Sequence, residues 1–202
     1  SIFGKYNNVD FGKLGDISFN SLRKILPLLS GSELSINITP ELNDVCKKRK
    51  PRLPSLGEIK YSLRSYKPKF LKKPKGNIDR EFELDLGNPA IDYISYKILT
   101  TNTFDKVKIT SARRNNYLFW KDFLSNYDLE FLELNISDPN ICPYVFPCIA
   151  SNSDIIKKWK KWGDINQINI IQWPKFPTSE SHHIAENKLQ NIICFPVNQE
   201  VM

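Results

Sequence analysis

Apolar and polar positions alternate in two short stretches near the start of the chain, Ile17-Ser18-Phe19 and Leu34-Ser35-Ile36. A period of two residues is typical of β-strands with one buried face. Asn7-Asn8 favours a turn ahead of them, because Asn tolerates the backbone of tight turns. We therefore expect short strands joined by turns at this end of the chain.

Helical and strand patterns alternate over residues 91–202. Apolar spacing predicts helices over residues 91–104, 110–126, 153–162 and 181–191, and strands over residues 129–134, 144–149, 168–173 and 192–197. Ser111 is the expected N-cap of the second helix, and Ser153 or Asp154 that of the third. Pro147 predicts an edge or bulge position for its strand. This alternation predicts a layered α/β or α+β domain.

Residues 46–90 separate these regions and are rich in Lys, Arg and Pro. Residues 47–75 hold 12 Lys or Arg and one acid, Glu58, so this segment accounts for the formal net charge of +7 of the chain. Ser55 and Glu58 have the spacing of a capping box, which predicts a short helix over residues 55–66. Such a composition forms no compact core. We therefore predict a surface connector.

The cysteines and histidines predict no metal site. Cys46, Cys142, Cys148 and Cys194 form no CxxC pair, and the two histidines are adjacent, His182-His183. We expect reduced, partly buried thiols, and histidines that begin a helix rather than act as an acid–base pair.

The tryptophans are expected to pack rather than to bind a ligand. Trp159 and Trp162 lie three residues apart, as packing residues of a helix do, and Trp173 is expected in the core.

Apolar runs are too short for a membrane span of roughly 18–20 residues, and the N-terminus has no signal-peptide pattern. We therefore expect a cytoplasmic protein. The chain lacks an initiator Met, so we expect either a processed start or a start inside a longer protein.

The segment from Gly15 to Pro27 carries the candidate chemistry. Ser21 follows an alternating stretch, Lys24 comes three residues later, and the chain turns at Pro27. Pyridoxal phosphate (PLP) chemistry needs a lysine amine for the aldehyde, and hydroxyl or N–H groups for the phosphate. A surface lysine beside a polar strand end would show the same spacing, so spacing alone leaves both interpretations open.

The run from Tyr6 to Leu34 resembles the lysine segment of the DegT/DnrJ/EryC1/StrS family of PLP-dependent sugar aminotransferases. The matching pieces are Gly4-Lys5-Tyr6, Gly12-Lys13-Leu14-Gly15-Asp16, Ser21-Leu22-Arg23-Lys24, Leu26-Pro27 and Gly31. Three later stretches are also similar: Arg113-Arg114-Asn115-Asn116-Tyr117, Ile170-Ile171-Gln172-Trp173-Pro174, and residues 191–199.

The resemblance implies an α/β protein of PLP-dependent transferase fold type I. Residues 1–45 would end the large PLP-binding domain, residues 46–90 would be the connector, and residues 91–202 would form the small C-terminal α/β domain. Lys24 would form the Schiff base and move a proton, Ser21 would bind the cofactor phosphate, and Arg23 would assist. Family members that are sugar dehydratases carry histidine in place of this lysine, so Lys24 argues against that branch.

The implied activity is transfer of an amino group, commonly from glutamate, to a nucleotide-linked keto-sugar in surface polysaccharide or related sugar biosynthesis. The implied assembly is a homodimer. The resemblance covers the C-terminal part of such enzymes. We therefore expect the N-terminal half to be required, and these 202 residues alone not to transaminate.

Two alternatives remain. The basic segment could make the chain a non-catalytic module that binds nucleic acid, with Tyr61, Tyr66 and Phe70 stacking on bases. The chain could also be an inactive aminotransferase-like fragment. The segment 47–75 is otherwise a solvated connector, or a cationic surface for a sugar diphosphate.

Overall fold

The computed structural model describes residues 3–38, 50–59, 90–173 and 191–198. They fall into two compact units. Tyr6–Phe104 forms one, called here the lysine unit because it contains Lys24. Phe3–Lys5 together with Asp105–Met202 forms the other, called here the sheet unit. The predicted division at residues 45 and 90 stays a prediction.

Short strands and 3₁₀ turns build the first part of the lysine unit, and two of these strands, Ile17–Asn20 and Glu33–Ile36, are the ones that the alternation predicted. Strands β1 (Lys5–Tyr6) and β2 (Val9–Asp10) form a two-stranded sheet that begins at the unit boundary. Asn7 and Asn8 lie between them with φ of 48° and 64°, which confirms the predicted turn. A 3₁₀ turn follows at Phe11–Lys13.

Strands β3 (Ile17–Asn20) and β4 (Glu33–Ile36) pair antiparallel, with Phe19 opposite Leu34. A second 3₁₀ turn, Leu22–Lys24, lies between them. Residues 56–59 are helical, and helix α1 spans Tyr93–Thr101. Ser55 and Glu58 exchange the two hydrogen bonds of a capping box, at 2.7 and 3.2 Å, as predicted.

Within its described residues, the sheet unit contains two helices and a four-stranded antiparallel sheet. Its helices are α2 (Lys106–Phe123) and α3 (Ser153–Ile165). Its strands are β5 (Leu129–Phe131), β6 (Val145–Ala150), β7 (Ile171–Gln172) and β8 (Ile192–Pro196), in the order β5-β6-β8-β7. The predicted helix over residues 181–191 lies almost wholly outside the described residues.

One aromatic core joins the helices to one face of the sheet. Trp120 of α2 and Trp159 of α3 both contact Phe195 of β8, with ring centroids 4.9 and 5.3 Å apart. Phe146 lies opposite Phe195 on β6 and is likewise fully buried. Trp159 and Trp162 stack edge to face, so the prediction that they pack is confirmed.

Pro147 lies in a central strand, so its predicted edge position was wrong. It accepts a hydrogen bond from the Leu132 N–H at 3.2 Å, and it is paired with Cys194 on the other side. Strand β5 ends at Phe131, so the missing proline N–H faces the point where that ladder stops. A proline at this position costs the sheet one terminal hydrogen bond.

The helix caps differ from those predicted. Asp105 caps α2, accepting the N–H of Lys108 at 2.9 Å, whereas Ser111 lies inside the helix. Asn152 caps α3, accepting from the N–H groups of Asp154 and Ile155. Helix α2 begins at Lys106, four residues before its predicted start, whereas α3 begins at Ser153 as predicted and only its cap lies elsewhere. Asp105 and Asn152 belong to the residue types that cap helices best, and apolar spacing does not show which of several such residues is used.

Trp173 is 37% exposed, so its predicted core position was wrong. It follows the edge strand β7 and donates its N–H to the Ile192 carbonyl at 2.9 Å. Cys142, Cys148 and Cys194 are free and buried, as expected of reduced thiols. Burial raises the pKa of Cys194 to about 12.

No helix within the described ranges has the length and apolar character of a membrane span.

Candidate functional site

Lys24 lies at the end of a tight turn between two paired strands. Strand β3 ends at Asn20, and Ser21 takes an extended backbone (φ −85°, ψ 97°) that starts the 3₁₀ turn Leu22–Lys24. The Lys24 N–H donates to the Ser21 carbonyl at 3.3 Å. The turn therefore places the hydroxyl of Ser21 and the amine of Lys24 on one short, hydrogen-bonded piece of backbone.

Charged side chains of this turn face solvent. Arg23 and Lys24 are exposed, and Ser21 is partly buried. The Ser21 hydroxyl accepts no hydrogen bond as a cap of the turn. An amine, a guanidinium and a hydroxyl thus lie within four consecutive residues at the surface of the lysine unit. Ser21, Arg23 and Lys24 share this turn because they are close in sequence, and their predicted roles in a site stay a prediction.

Apolar residues directly after Lys24 anchor the turn. Ile25, Leu26 and Leu28 are all buried, and the Leu26 N–H donates to the Leu22 carbonyl at 2.9 Å. The exposed residues Arg23 and Lys24 are therefore followed directly by the buried residues Ile25 and Leu26. A ligand can reach the turn only from the side of Arg23 and Lys24.

A buried polar cluster holds the loop that leads from this turn to β4. The Ser30 hydroxyl donates to Asp92 Oδ2 at 2.5 Å, and the Asp92 N–H donates to Ser30 Oγ at 3.0 Å. Ser95 Oγ accepts the N–H groups of Leu29 and Ser30 at 2.9 and 3.2 Å. We call Ser30, Asp92 and Ser95 the loop clamp.

Asp92 is fully buried and ionised within the loop clamp. Burial by itself would raise the pKa of Asp92, but hydrogen bonds from Ser30 and Ser95 outweigh it and hold that pKa below its ordinary value. Asp92 also caps α1 by accepting the Ser95 N–H at 2.9 Å. One carboxylate therefore serves both the helix start and the loop.

Of the basic segment 47–75, the structure describes residues 50–59. There Arg52 forms a two-pronged ion pair with Glu58, at 2.6 and 2.8 Å. This hydrogen-bonded guanidinium lowers the pKa of Glu58. Because Tyr61, Tyr66, Phe70 and most of the lysines lie outside the described residues, the nucleic-acid alternative stays a prediction.

Arg113, in the stretch Arg113–Tyr117 that resembles the family, packs inside the sheet unit. Its guanidinium is buried and donates to the carbonyls of Pro143 and Tyr144 at 3.1 and 3.3 Å. Burial lowers the pKa of Arg113 from its usual value. Asn116 donates to the Asn198 carbonyl at 2.6 Å. These side chains tie α2 to the segments that flank the sheet.

Sequence reasoning missed the loop clamp. Asp92 lies inside the helix predicted over residues 91–104, whereas the helix begins after it, at Tyr93. An Asp followed three residues on by Ser95 is a cap signal that could have been recognised. Its link to Ser30 spans 62 positions of the chain, and no local pattern predicts a contact over that distance. His182 and His183 lie outside the described residues.

Comparisons with known proteins agree on the fold. No family model matches the chain, and no curated protein is similar to it in sequence. Among solved structures it is similar to a DegT DnrJ EryC1 StrS aminotransferase from Brucella abortus, with a TM-score of 0.58 and 15% identity. It is also similar to the GDP-4-keto-6-deoxy-D-mannose-3-dehydratase of E. coli with bound hydrated PLP (0.56, 12%) and to a sugar aminotransferase from Micromonospora echinospora (0.51, 12%).

These matches cover 98–100% of this chain and 51–54% of each solved chain, so the chain spans about half the length of the proteins it matches. The resemblance found in the sequence is confirmed at the level of the fold. The chain has the fold of the C-terminal part of DegT/DnrJ/EryC1/StrS sugar aminotransferases and related PLP enzymes.

Proposed function

We propose that this chain is the lysine-bearing part of a PLP-dependent enzyme of fold type I, a sugar aminotransferase in which Lys24 carries the cofactor. The proposed reaction transfers an amino group, with glutamate as the donor, to a nucleotide-linked keto-sugar. The proposed setting is polysaccharide or related sugar biosynthesis in the cytoplasm.

One observation carries the proposal. A lysine lies in a hydrogen-bonded turn between two paired antiparallel strands, within a chain whose whole length follows the fold of sugar aminotransferases and a PLP-bound dehydratase. Fold by itself does not assign chemistry. The proposal is therefore also supported by the donor set of the turn, which is the amine of Lys24, the hydroxyl of Ser21 and the guanidinium of Arg23.

The donor set fits PLP. A primary amine is the group that binds the cofactor aldehyde, and a hydroxyl with a nearby guanidinium suits a phosphate. Lys24, Ser21 and Arg23 supply these groups within four residues, and Arg23 and Lys24 are exposed. When bound, the cofactor supplies the electron sink that stabilises a carbanion next to nitrogen.

Each side chain of the turn has a distinct proposed role. Lys24 Nζ holds the cofactor and, once released, moves a proton to or from the substrate carbon as a general base and acid. The Ser21 hydroxyl donates to the phosphate, which fixes the position of the ring relative to Nζ. Arg23 adds charge near the phosphate without needing a direct contact.

Additional polypeptide is part of the proposal. Ile17, Phe19 and Leu34 lie on one face of the β3–β4 pair and are each more than half exposed. Three adjacent large apolar side chains on one sheet face favour burial against further protein. We propose that the polypeptide covering this face is the N-terminal half of the enzyme. The complete assembly we propose is a homodimer.

Borohydride trapping tests the proposal directly. The full-length protein is incubated with PLP, reduced, digested and analysed by peptide mass spectrometry. The expected adduct is on the peptide that contains Lys24, and Lys24→Arg abolishes it. Lys13→Arg is the matched control, because Lys13 is an exposed lysine of the same unit whose ion pair to Asp10 is solvent-exposed and 3.9 Å long. Equal labelling of Lys13 and Lys24 would contradict the assignment.

A further inference from the structure

The loop clamp joins two parts of the chain that no local structure requires to meet. Ser30 lies six residues after Lys24, and Asp92 and Ser95 begin helix α1. Four hydrogen bonds connect them, two to the hydroxyl of Ser95 and two between Ser30 and Asp92. Capping α1 needs only one of the contacts of Asp92, its bond to the Ser95 N–H, and this leaves the Ser30 side of the clamp unexplained by helix capping.

The path from the clamp to Lys24 is short and well packed. Leu28, Leu26 and Ile25 are buried, and the Leu28 N–H donates to the Leu26 carbonyl at 2.8 Å. A shift of Ser30 would therefore pass through packed residues to the turn that ends at Lys24.

Gly31 closes the clamp on its other side. Its φ is +119°, a conformation that only glycine adopts without strain, and a Cβ there would lie 3.0 Å from Ile91 Cδ1. The loop thus approaches the residue before Asp92 as closely as its backbone allows. Backbone conformation and hydrogen bonding agree on one fixed loop position.

We infer that the loop clamp holds the Lys24 turn in place, and that Asp92 and Ser30 are positioning residues for the lysine that carries the cofactor. This inference rests on the proposed function of Lys24. A flexible loop would let the amine sample many positions, whereas an anchored one holds Nζ where the cofactor aldehyde must be. Buried hydrogen bonds to a carboxylate are among the stronger anchors available.

Three serine variants isolate this role in the full-length protein. Ser30→Ala removes the hydroxyl from the loop but leaves Asp92 capping α1. Ser30→Thr keeps a hydroxyl at the same position. Ser32→Ala is the matched control, because Ser32 is an exposed serine two residues further on. Asp92→Asn is a second variant from the helix side, since Asn also caps helices well.

Two measurements are made on each variant. The first is hydrogen exchange of the backbone amides of residues 24–30, with the α1 amides as reference. The second is the fraction of all borohydride-trapped PLP that is attached to Lys24, called here the Lys24 share. Ser30→Ala and Asp92→Asn should speed exchange at Ile25, Leu26 and Leu28 about tenfold or more and lower the Lys24 share. Ser30→Thr should restore both values, and Ser32→Ala should change neither.

The outcomes separate the two proposals. If Ser30→Ala speeds exchange at Leu29 and Ser30 alone, and Ile25, Leu26 and the trapped share stay as in the wild type, the clamp positions nothing and the inference is overturned. If the wild-type protein shows no preference for Lys24 in trapping, the proposed function fails. The exchange data then still decide whether the clamp holds the turn.

Discussion

The two units of the chain bury their large side chains to very different extents. In the sheet unit Phe195 is 0% exposed and contacts Trp120 and Trp159, whereas in the lysine unit Phe19 is 68% exposed. The lysine unit instead contains a buried carboxylate, Asp92, that accepts hydrogen bonds from the Ser30 hydroxyl and the Ser95 N–H. An aromatic core stabilises one unit, and directed polar contacts hold the loop after Lys24 in the other.

The difference indicates what each unit is built to do. A large apolar core gives stability that does not depend on the exact position of any one atom, because the hydrophobic effect has no direction. Hydrogen bonds are directional, so a polar clamp fixes the position of a loop even when it adds little net stability. The unit with the candidate lysine has the second kind of construction.

Phe195→Ala is the change with the largest expected effect. It removes a buried ring at the centre of the aromatic core and should destabilise the sheet unit by about 3–5 kcal/mol. Phe19→Ala is the matched substitution in the lysine unit and, in the 202-residue chain on its own, should cost no more than about 0.5 kcal/mol, because that ring is exposed there. Urea unfolding followed by tryptophan fluorescence measures the first, since all four tryptophans (positions 120, 159, 162 and 173) lie in the sheet unit. A cost for Phe19→Ala as large as that for Phe195→Ala would remove the contrast between the units.

The sequence predicted the elements of both units well, and their ends and long-range contacts poorly. Periodicity located α1, α2, α3 and strands β3 to β8 because burial repeats along an element, whereas β1 and β2, of two residues each, are too short to show a period. It misplaced the cap of α2, because apolar spacing does not show which of two good capping residues is used, and Asp105 lies six positions before Ser111. It also put Pro147 at an edge, because the order of strands depends on pairings distant in sequence.

Candidate site residues followed the same rule. Ser21, Arg23 and Lys24 are consecutive enough for a motif to bring them together, and the structure keeps them on one turn. Ser30 and Asp92 are 62 positions apart and meet only through the fold, so no local pattern in the sequence predicts the loop clamp.

Gly163→Ala should have the next largest effect. An added Cβ would lie 2.6 Å from the Ile168 carbonyl oxygen and 3.0 Å from the Ile170 side chain, so α3 or the following segment must move. We expect a loss of about 1–3 kcal/mol from overpacking. Gly15→Ala in the lysine unit is the control, because the nearest atom to its added Cβ is 3.6 Å away. The same fluorescence-detected unfolding applies to Gly163→Ala, and hydrogen exchange of β3 applies to Gly15→Ala. Equal stability of the Gly163→Ala protein and the wild type would show that α3 packs less tightly than described.

Acid should weaken the lysine unit before the sheet unit. The pKa values of Asp92 and Glu58 are lowered in the folded state, so their contribution to stability is full above the unfolded value of about 4 and is lost as the pH falls through the folded value. Hydrogen exchange of α1 and of residues 25–30 should therefore accelerate as the pH falls from about 5 towards 2, after correction for intrinsic rates. Asp92→Asn should flatten this dependence at residues 25–30. If β6 and β8 lose protection at the same pH as α1, the two units respond to acid alike and the comparison fails.

The smallest expected effect is at the capping box of Ser55 and Glu58 in the basic segment. Ser55 Oγ accepts the Glu58 N–H, and Glu58 in turn holds both the Ser55 N–H and the guanidinium of Arg52. Ser55→Ala should cost about 0.5–1 kcal/mol, because one capping bond is lost while the ion pair remains. Ser55→Thr should cost less, since threonine is also a good N-cap. Hydrogen exchange at the Glu58 amide measures the local effect directly. An unchanged rate there in Ser55→Ala would mean that the ion pair alone holds this turn, and that even the connector of the lysine unit depends on charge more than on helix capping.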